Sequence, residues 1–196
     1  PLQEGLRLVH NTLVGLNLRE RIKLGCAGKV VSAFDIARMM ALGADWCNAA
    51  RGFMFALGCL QAQTCHTGNC PTGVTTQDPK REKALVVPTK AERVYHFHQN
   101  TLMALKELVQ AAGLSHPREI TASHIVRRTS DHGVKLLANL LPFVPPGSLL
   151  RGEVAHQVFR SYWPMASATS FAAAAPPPGE AAAMPSGAKQ LVASER

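Results

Sequence analysis

The sequence predicts an α/β fold, and more specifically the closing portion of a larger one. Helical and extended hydrophobic periods alternate with short connections from Leu2 to about Pro79, the pattern of parallel strands joined by crossovers. Parallel strands need both faces covered and neighbours on both sides, so the two strands found there cannot close a sheet by themselves. Beyond Pro79 the period turns helical, and from Pro164 it dissolves into Ala, Pro, Ser and Gly. Residues 1–79 are therefore expected to be the last βα units of a larger fold. Residues 80–163 are expected to form a helical extension, and residues 164–196 a disordered tail. Pro at position 1 fits a missing upstream part.

Each element rests on local signals. Leu2, Leu6, Val9, Leu13 and Leu16 recur at helical spacing, and Asn17 can end that helix. A short strand is expected over Ile22–Cys26, followed by a turn of small residues, Ala27 and Gly28. Ser32 is placed as an N-cap with Asp35 three residues on, close to a capping box. Phe34, Ala37, Met40 and Ala41 give that helix its apolar side, and Gly43 sits where a C-terminal cap belongs. Trp46–Ala50 reads as a second strand, and Gly52 opens a helix carrying Phe53, Leu57 and Leu60. A long amphipathic helix is predicted over Thr89–Ala112, ended by Gly113. Thr121 is expected to cap a helix running through Arg128, with a third apolar stretch over Val134–Leu141.

The 196 residues carry 21 Lys and Arg against 13 Asp and Glu, a net charge of +8. These charges fall in short mixed clusters (Arg19-Glu20-Arg21, Lys80-Arg81-Glu82-Lys83, Arg127-Arg128) with no interleaved aromatics, so a solvated surface is expected and not a nucleic-acid face. An anionic cofactor or an acidic partner remains compatible with the balance. No run of apolar residues is long enough for a transmembrane span, and no secretory signal is recognisable. The five cysteines are an odd number, which argues against a disulfide framework and for a cytoplasmic protein.

Three of those cysteines, Cys59, Cys65 and Cys70, are separated by five and then four residues in a segment rich in Thr, Gly, Asn and Pro. Such a loop can curl around a ligand and aim N–H groups at charged sulfur, as iron–sulfur clusters require. Three thiolates match a 3Fe-4S cluster, in which each iron takes one protein ligand. Zinc is the competing metal, through Cys59, Cys65, His66 and Cys70, although adjacent Cys65 and His66 are awkward on one tetrahedron and no CxxC knuckle is present. Three unligated cysteines are the remaining alternative. Cys26 and Cys47 read as small core residues on strands, and His96 and His98 point to different faces of their helix.

The stretch from Leu42 to Pro79 (LGADWCNAARGFMFALGCLQAQTCHTGNCPTGVTTQDP) resembles the FMN-binding domain of glutamate synthase and its stand-alone relatives. The shared signature is a helix ending in Gly-Cys, the same cysteine spacing, and then Cys-Pro-Thr-Gly-Val-Thr-Thr-Gln-Asp at Cys70–Asp78. The likeness extends upstream through PLQEGL and GCAGKVVSAFDIARMMALGAD, and more weakly downstream to about Leu141. It implies the C-terminal part of a (β/α)8 TIM barrel, and it assigns Cys59, Cys65 and Cys70 to a 3Fe-4S cluster beside FMN. It also implies an oxidoreductase making L-glutamate from 2-oxoglutarate and ammonia by way of 2-iminoglutarate. Electrons would come from ferredoxin or an NADPH-dependent flavoprotein subunit, and ammonia from a glutaminase domain or subunit. Carboxylate-binding groups come, in that family, from segments upstream of Pro1, so no residue here is read as catalytic.

Barrels of this kind hold the flavin phosphate at the loops after the last two strands, beside a helix N-terminus. The corresponding turns are Ala27-Gly28-Lys29 and Ala50-Arg51-Gly52. Small residues there let backbone N–H groups reach phosphate oxygens, while Lys29 or Arg51 could add charge. Taken alone, such turns would be simple turn geometry; the cysteine loop just downstream makes phosphate binding the better reading. The family often has Gly-Gly where this chain has Ala27-Gly28. The competing function is a non-catalytic iron–sulfur or zinc-binding electron-transfer module.

Overall fold

The computed structural model describes residues 2–153 and 156–171. Helix α1 (Leu2–Gly15) turns Leu6 and Asn11 inward, while Val9 is left 47% exposed. Asn17, at φ 56, ends it as its left-handed tolerance allows. The buried Asn11 amide donates to the Pro142 carbonyl (3.1 Å) and accepts from the Val144 N–H (3.4 Å), so a polar group inside the core is satisfied by a distant segment. The last carbonyls of α1 are closed by that same segment: Gly147 N–H donates to Val14 O and Leu149 N–H to Gly15 O.

Strand β1 is Gly25–Ala27, shorter and later than the Ile22–Cys26 expected from alternation. The reason lies in the loops before the strands. Arg19 donates to Asp45 (2.9 Å), to the carbonyls of Ile22 and Gly43, and to Nδ1 of His10, while Asp45 accepts the Leu24 N–H (2.7 Å). Residues 18–22 are thereby wound into a turn, and pairing begins only at Gly25. Strand β2 (Trp46–Asn48) runs parallel to β1, with Cys26 opposite Cys47, and stops early because Ala50 already belongs to the next helix.

Between the strands, α2 (Ala33–Ala41) is capped as its sequence predicts. The Ser32 hydroxyl accepts from the Asp35 N–H while Asp35 accepts from the Ser32 N–H, a reciprocal box worth about 1 kcal/mol. Gly43 follows its end at φ 109. Helix α3 (Ala50–Leu57) ends at left-handed Gly58, and four-residue α4 (Pro79–Glu82) is capped by Asp78. The long α5 (Val87–Ala111) matches the predicted amphipathic helix and stops before Gly113 at φ 73. Its Leu105 and Val109 join Ala33, Ala37, Met39 and Leu42 in one core, together with Ile120, Ile125 and Leu137. Residues beyond Pro79 thus share a core with those before it.

The expected helix from Thr121 to Arg128 is instead a turn and a hairpin. Thr121 accepts from the Ser123 and His124 N–H groups, and strands β3 (Val126–Arg128) and β4 (Val134–Leu136) pair antiparallel. β-Branched Ile125, Val126 and Val134 flank a polar turn at 129–133, and cross-strand pairing outweighs a single N-cap signal. Short α6 (Leu137–Leu140) follows directly, so only part of the third apolar stretch is helical. Helix α7 (Gln157–Tyr162) leads into a 3-10 turn at Trp163–Met165 that buries Met165. Most of the segment expected to be disordered, residues 172–196, lies outside the described residues. The architecture is mixed helix and strand, and among the described residues no helix is long and apolar enough to cross a membrane.

Burial pushes the Asp45 carboxyl up, but the Leu24 N–H and the Arg19 guanidinium outweigh it and hold the group below the usual range. Its contribution to stability is therefore complete above the ordinary carboxylate value near 3.8 and is lost as pH falls through the lower folded value. With side chains only 15% and 12% exposed, Asp45→Asn should cost about 3 kcal/mol at neutral pH, since Arg19 would be left without its counter-charge. Urea melts of the intact protein at neutral pH and near pH 3 should show this deficit shrinking in acid.

Candidate functional site

Both parallel strands end at the same rim. There the turn after β1 presents Ala27, Gly28 and Lys29, all exposed, with Gly28 at φ 147 and Lys29 at φ 55. Left-handed backbone at a non-glycine residue is held by its surroundings. Here Val30 is anchored in the core at 2% exposure, just ahead of the Ser32 cap. A groove beside Gly28 and Lys29 is lined by Leu2, Glu4, Arg38 and Arg127. Arg127, read from the sequence as a solvated helix face, is carried to this groove by β3.

The turn after β2 passes directly into α3. Its N-cap residue, Ala49, offers no side-chain hydrogen bond, in contrast to the closed box on α2. The first N–H groups of α3 are therefore unclaimed by any side chain, beside exposed Ala50 and Arg51. Gly52 serves differently. It is buried, and a methyl group there would stand 2.7 Å from Cζ of Phe97 and 3.3 Å from the Val31 carbonyl. Its missing side chain lets α5 lie close on α3, where Phe53 meets Phe97 edge to face at 5.4 Å.

Downstream of Gly58, all three candidate ligands border one pocket. Cys59, Cys65 and Cys70 line it together with Met54, Thr72 and Thr75. Cys70 is shielded by its own loop, Cys59 is half-buried and Cys65, in a 3-10 turn, is exposed. The Thr72 hydroxyl, 3.5 Å from the Cys70 sulfur, together with the N–H groups of Thr75 and Thr72, brings that thiol down to about 6. Cys59 accepts the Gln61 N–H at 3.4 Å. The Thr75 hydroxyl is buried with no hydrogen-bond partner of ordinary length. These donors surround sulfur and suit anionic thiolates. Among the described residues no three His, Cys, Asp or Glu side chains close on a single ion. His66 is exposed and does not border the pocket.

The remaining cysteines behave as core. Cys26 and Cys47 sit side by side with sulfurs 3.4 Å apart, and burial pushes both thiols up, Cys47 to about 12. His96 meets Glu92 and His98 packs on Phe53, so the pair does not converge. A more voluminous cavity of about 550 Å³, lined by His10, Arg19, Asp45, Arg118 and Phe143, lies at the opposite ends of the strands, away from the cysteines. The donors around Cys70 and the role of Gly52 were not read from the sequence; the run of threonines after Cys70 was the available signal for the first.

Comparison with known proteins gives the family. Residues 1–115 match the conserved region in glutamate synthase. The chain belongs to the glutamate synthase family, a family of oxidoreductases. It is 39% identical over 141 residues to the glutamate synthase large subunit-like protein YerD of Bacillus subtilis (strain 168), covering 72% of this chain and 27% of that protein. It is 29% identical over 137 residues to the glutamate synthase [NADPH] large chain of Azospirillum brasilense, covering 67% of this chain and 9% of the relative. A third relative, the ferredoxin-dependent glutamate synthase 1 of Arabidopsis thaliana, is 42% identical over 77 residues, 39% of this chain and 5% of that protein. The chain thus spans about a quarter or less of these relatives.

Gly52→Ala should show how tightly α3 and α5 are set, because its methyl group must displace the Phe97 ring. A loss of about 1–3 kcal/mol in unfolding free energy of the intact protein is expected. The double variant with Phe97→Leu should recover part of it.

Proposed function

We propose that this chain supplies the flavin-phosphate rim and the iron–sulfur loop of a glutamate synthase-type oxidoreductase, on the last units of a (β/α)8 barrel. In this reading residues 1–79 carry the cofactors, residues 80–163 brace them, and residues 164–196 take no part. The observation that carries it is one helix, α3, with an uncapped N-terminus at the strand rim and a left-handed exit at Gly58 into Cys59. When bound, FMN supplies hydride to the imine of 2-oxoglutarate and ammonia, and a 3Fe-4S cluster supplies single electrons drawn from ferredoxin or a nicotinamide-dependent flavoprotein.

The chain's own residues then bind and orient. The N–H groups of the Gly28–Lys29 turn and of Ala50–Arg51 would hold the phosphate, with Lys29 and Arg51 adding positive charge. Cys59, Cys65 and Cys70 would be the cluster ligands, one per iron, which suits thiols spread around a pocket. The Thr72 and Thr75 donors favour Cys70 as thiolate before any metal arrives. Ammonia delivery and carboxylate recognition are assigned to other parts of the enzyme.

Anaerobically purified intact protein should contain about three iron and about four labile sulfide per chain, with an EPR signal when oxidised. Cys59→Ser, Cys65→Ser and Cys70→Ser should each lose the cluster, while Cys26→Ser keeps its iron. Stoichiometric zinc without labile sulfide would reject the cluster.

The flavin site is tested separately. Gly28→Val puts a branched side chain at φ 147, with its first carbon about 3.2 Å from Leu2 Cδ2, and closes the approach to phosphate. It should lose FMN and keep iron, because the cysteine loop is a separate segment. Arg51→Ala should weaken FMN binding less. Stoichiometric flavin of unchanged affinity in Gly28→Val would place the phosphate elsewhere.

A further inference from the structure

The loop that carries the three cysteines is unusual in its charge. No Asp or Glu occurs between Asp45 and Asp78, a span that holds the strand-rim turn after β2 and all three candidate ligands. Positive charge is brought to that span from α5. Lys90 is half-buried, and Arg93 lies three residues on along the same helix. A methyl group placed on Gly58 would stand 3.1 Å from Nζ of Lys90 and 3.9 Å from Nη1 of Arg93. Both cations therefore lie over the residue immediately before Cys59. The carboxylate nearest them in sequence, Glu92, pairs with His96, and neither Lys90 nor Arg93 has an ion-pair partner among the described residues.

A half-buried ammonium without a counter-ion is costly unless something nearby is negative. The last carbonyls of α3 supply part of that, as the negative end of a helix dipole. Two of those carbonyls are already engaged, since Gly58 N–H bonds to Phe55 O and Cys59 N–H to Met54 O. What the pair faces beyond those carbonyls is the start of the cysteine loop. We infer that Lys90, assisted by Arg93, is a positioning residue for electron transfer, holding a fixed positive potential over Cys59 that favours the reduced form of the cluster. This rests on the cluster reading given above. One-electron reduction adds one negative charge to the cluster and changes no protein ligand, so an unpaired cation close by stabilises the reduced form more than the oxidised one.

The test is an EPR-monitored redox titration of the intact, anaerobically prepared protein, with dithionite as reductant in the presence of mediators. Iron and labile sulfide are measured first. Lys90→Gln should retain the cluster and shift its midpoint to a more negative value. The expected change is up to about tenfold in the reduced-to-oxidised ratio, or about 59 mV for a one-electron couple. Lys90→Arg should restore the wild-type midpoint, and Arg93→Gln, at an exposed position, should shift it in the same direction by less. A fully loaded Lys90→Gln protein with an unchanged midpoint overturns the inference, because mere closure of the α3 end would alter melting and not potential. Should Lys90→Gln lose iron, Arg93→Gln decides: a negative shift supports the inference and none overturns it. Wild-type protein without labile sulfide overturns the cluster reading, and this inference with it.

Discussion

The Arg19–Asp45 pair fixes the rest of the structure. It ties the loop entering β1 to the loop entering β2, and through the Leu24 N–H it decides the residue at which the two strands begin to pair. A parallel pair of three residues has little register information of its own, because a slip would cost few ladder bonds. With the entry loops pinned, Cys26 stands opposite Cys47 and both strands exit on one rim. Every candidate cofactor residue lies on or beyond that rim, so an ion pair at one end of the strands aligns the chemistry at the other.

The face opposite Cys26 carries Gly25 and Ala27 from β1 and, from β2, exposed Asn48 and half-exposed Trp46, laid across Gly25. Parallel strands with a bare face and two open edges are not a finished unit. In the proposed barrel further strands would cover both.

Legibility in the sequence followed locality. Helix α2 was readable to within a residue because its start and stop are written in adjacent side chains, Ser32 with Asp35 and Gly43 after Leu42. Helix α5 was readable because its period persists over many turns. The hairpin at Val126–Arg128 and Val134–Leu136 was not, since both strands are exposed along their length and show no inward alternation. Thr121 does use its cap chemistry, but on a turn with His124, so the signal was correct and the element wrong. Among site residues, Cys59, Cys65 and Cys70 were singled out by their spacing, and in the structure they border one pocket. Gly52 illustrates the limit. A glycine beside a strand end looks the same in sequence whether it admits a phosphate or a phenyl ring, and only the path of α5 distinguishes them.

Helix α3 then becomes the ruler of the proposed site. Its eight residues span about 12 Å at the usual rise, with the uncapped start at one end and the turn into Cys59 at the other. Its distance and tilt are set by α5, through Phe97 on Gly52 and Phe53 near the start and Lys90 over Gly58 at the finish. A helix gripped at both ends by one neighbour cannot rotate without breaking either an aromatic contact or an electrostatic one. Holding both ends fixes the separation of the two cofactor-binding segments, and that separation is what electron passage between them would depend on. In the proposed site the extension after Pro79 would be the brace that keeps flavin rim and cysteine loop in register, and its core residues merge with those of α2.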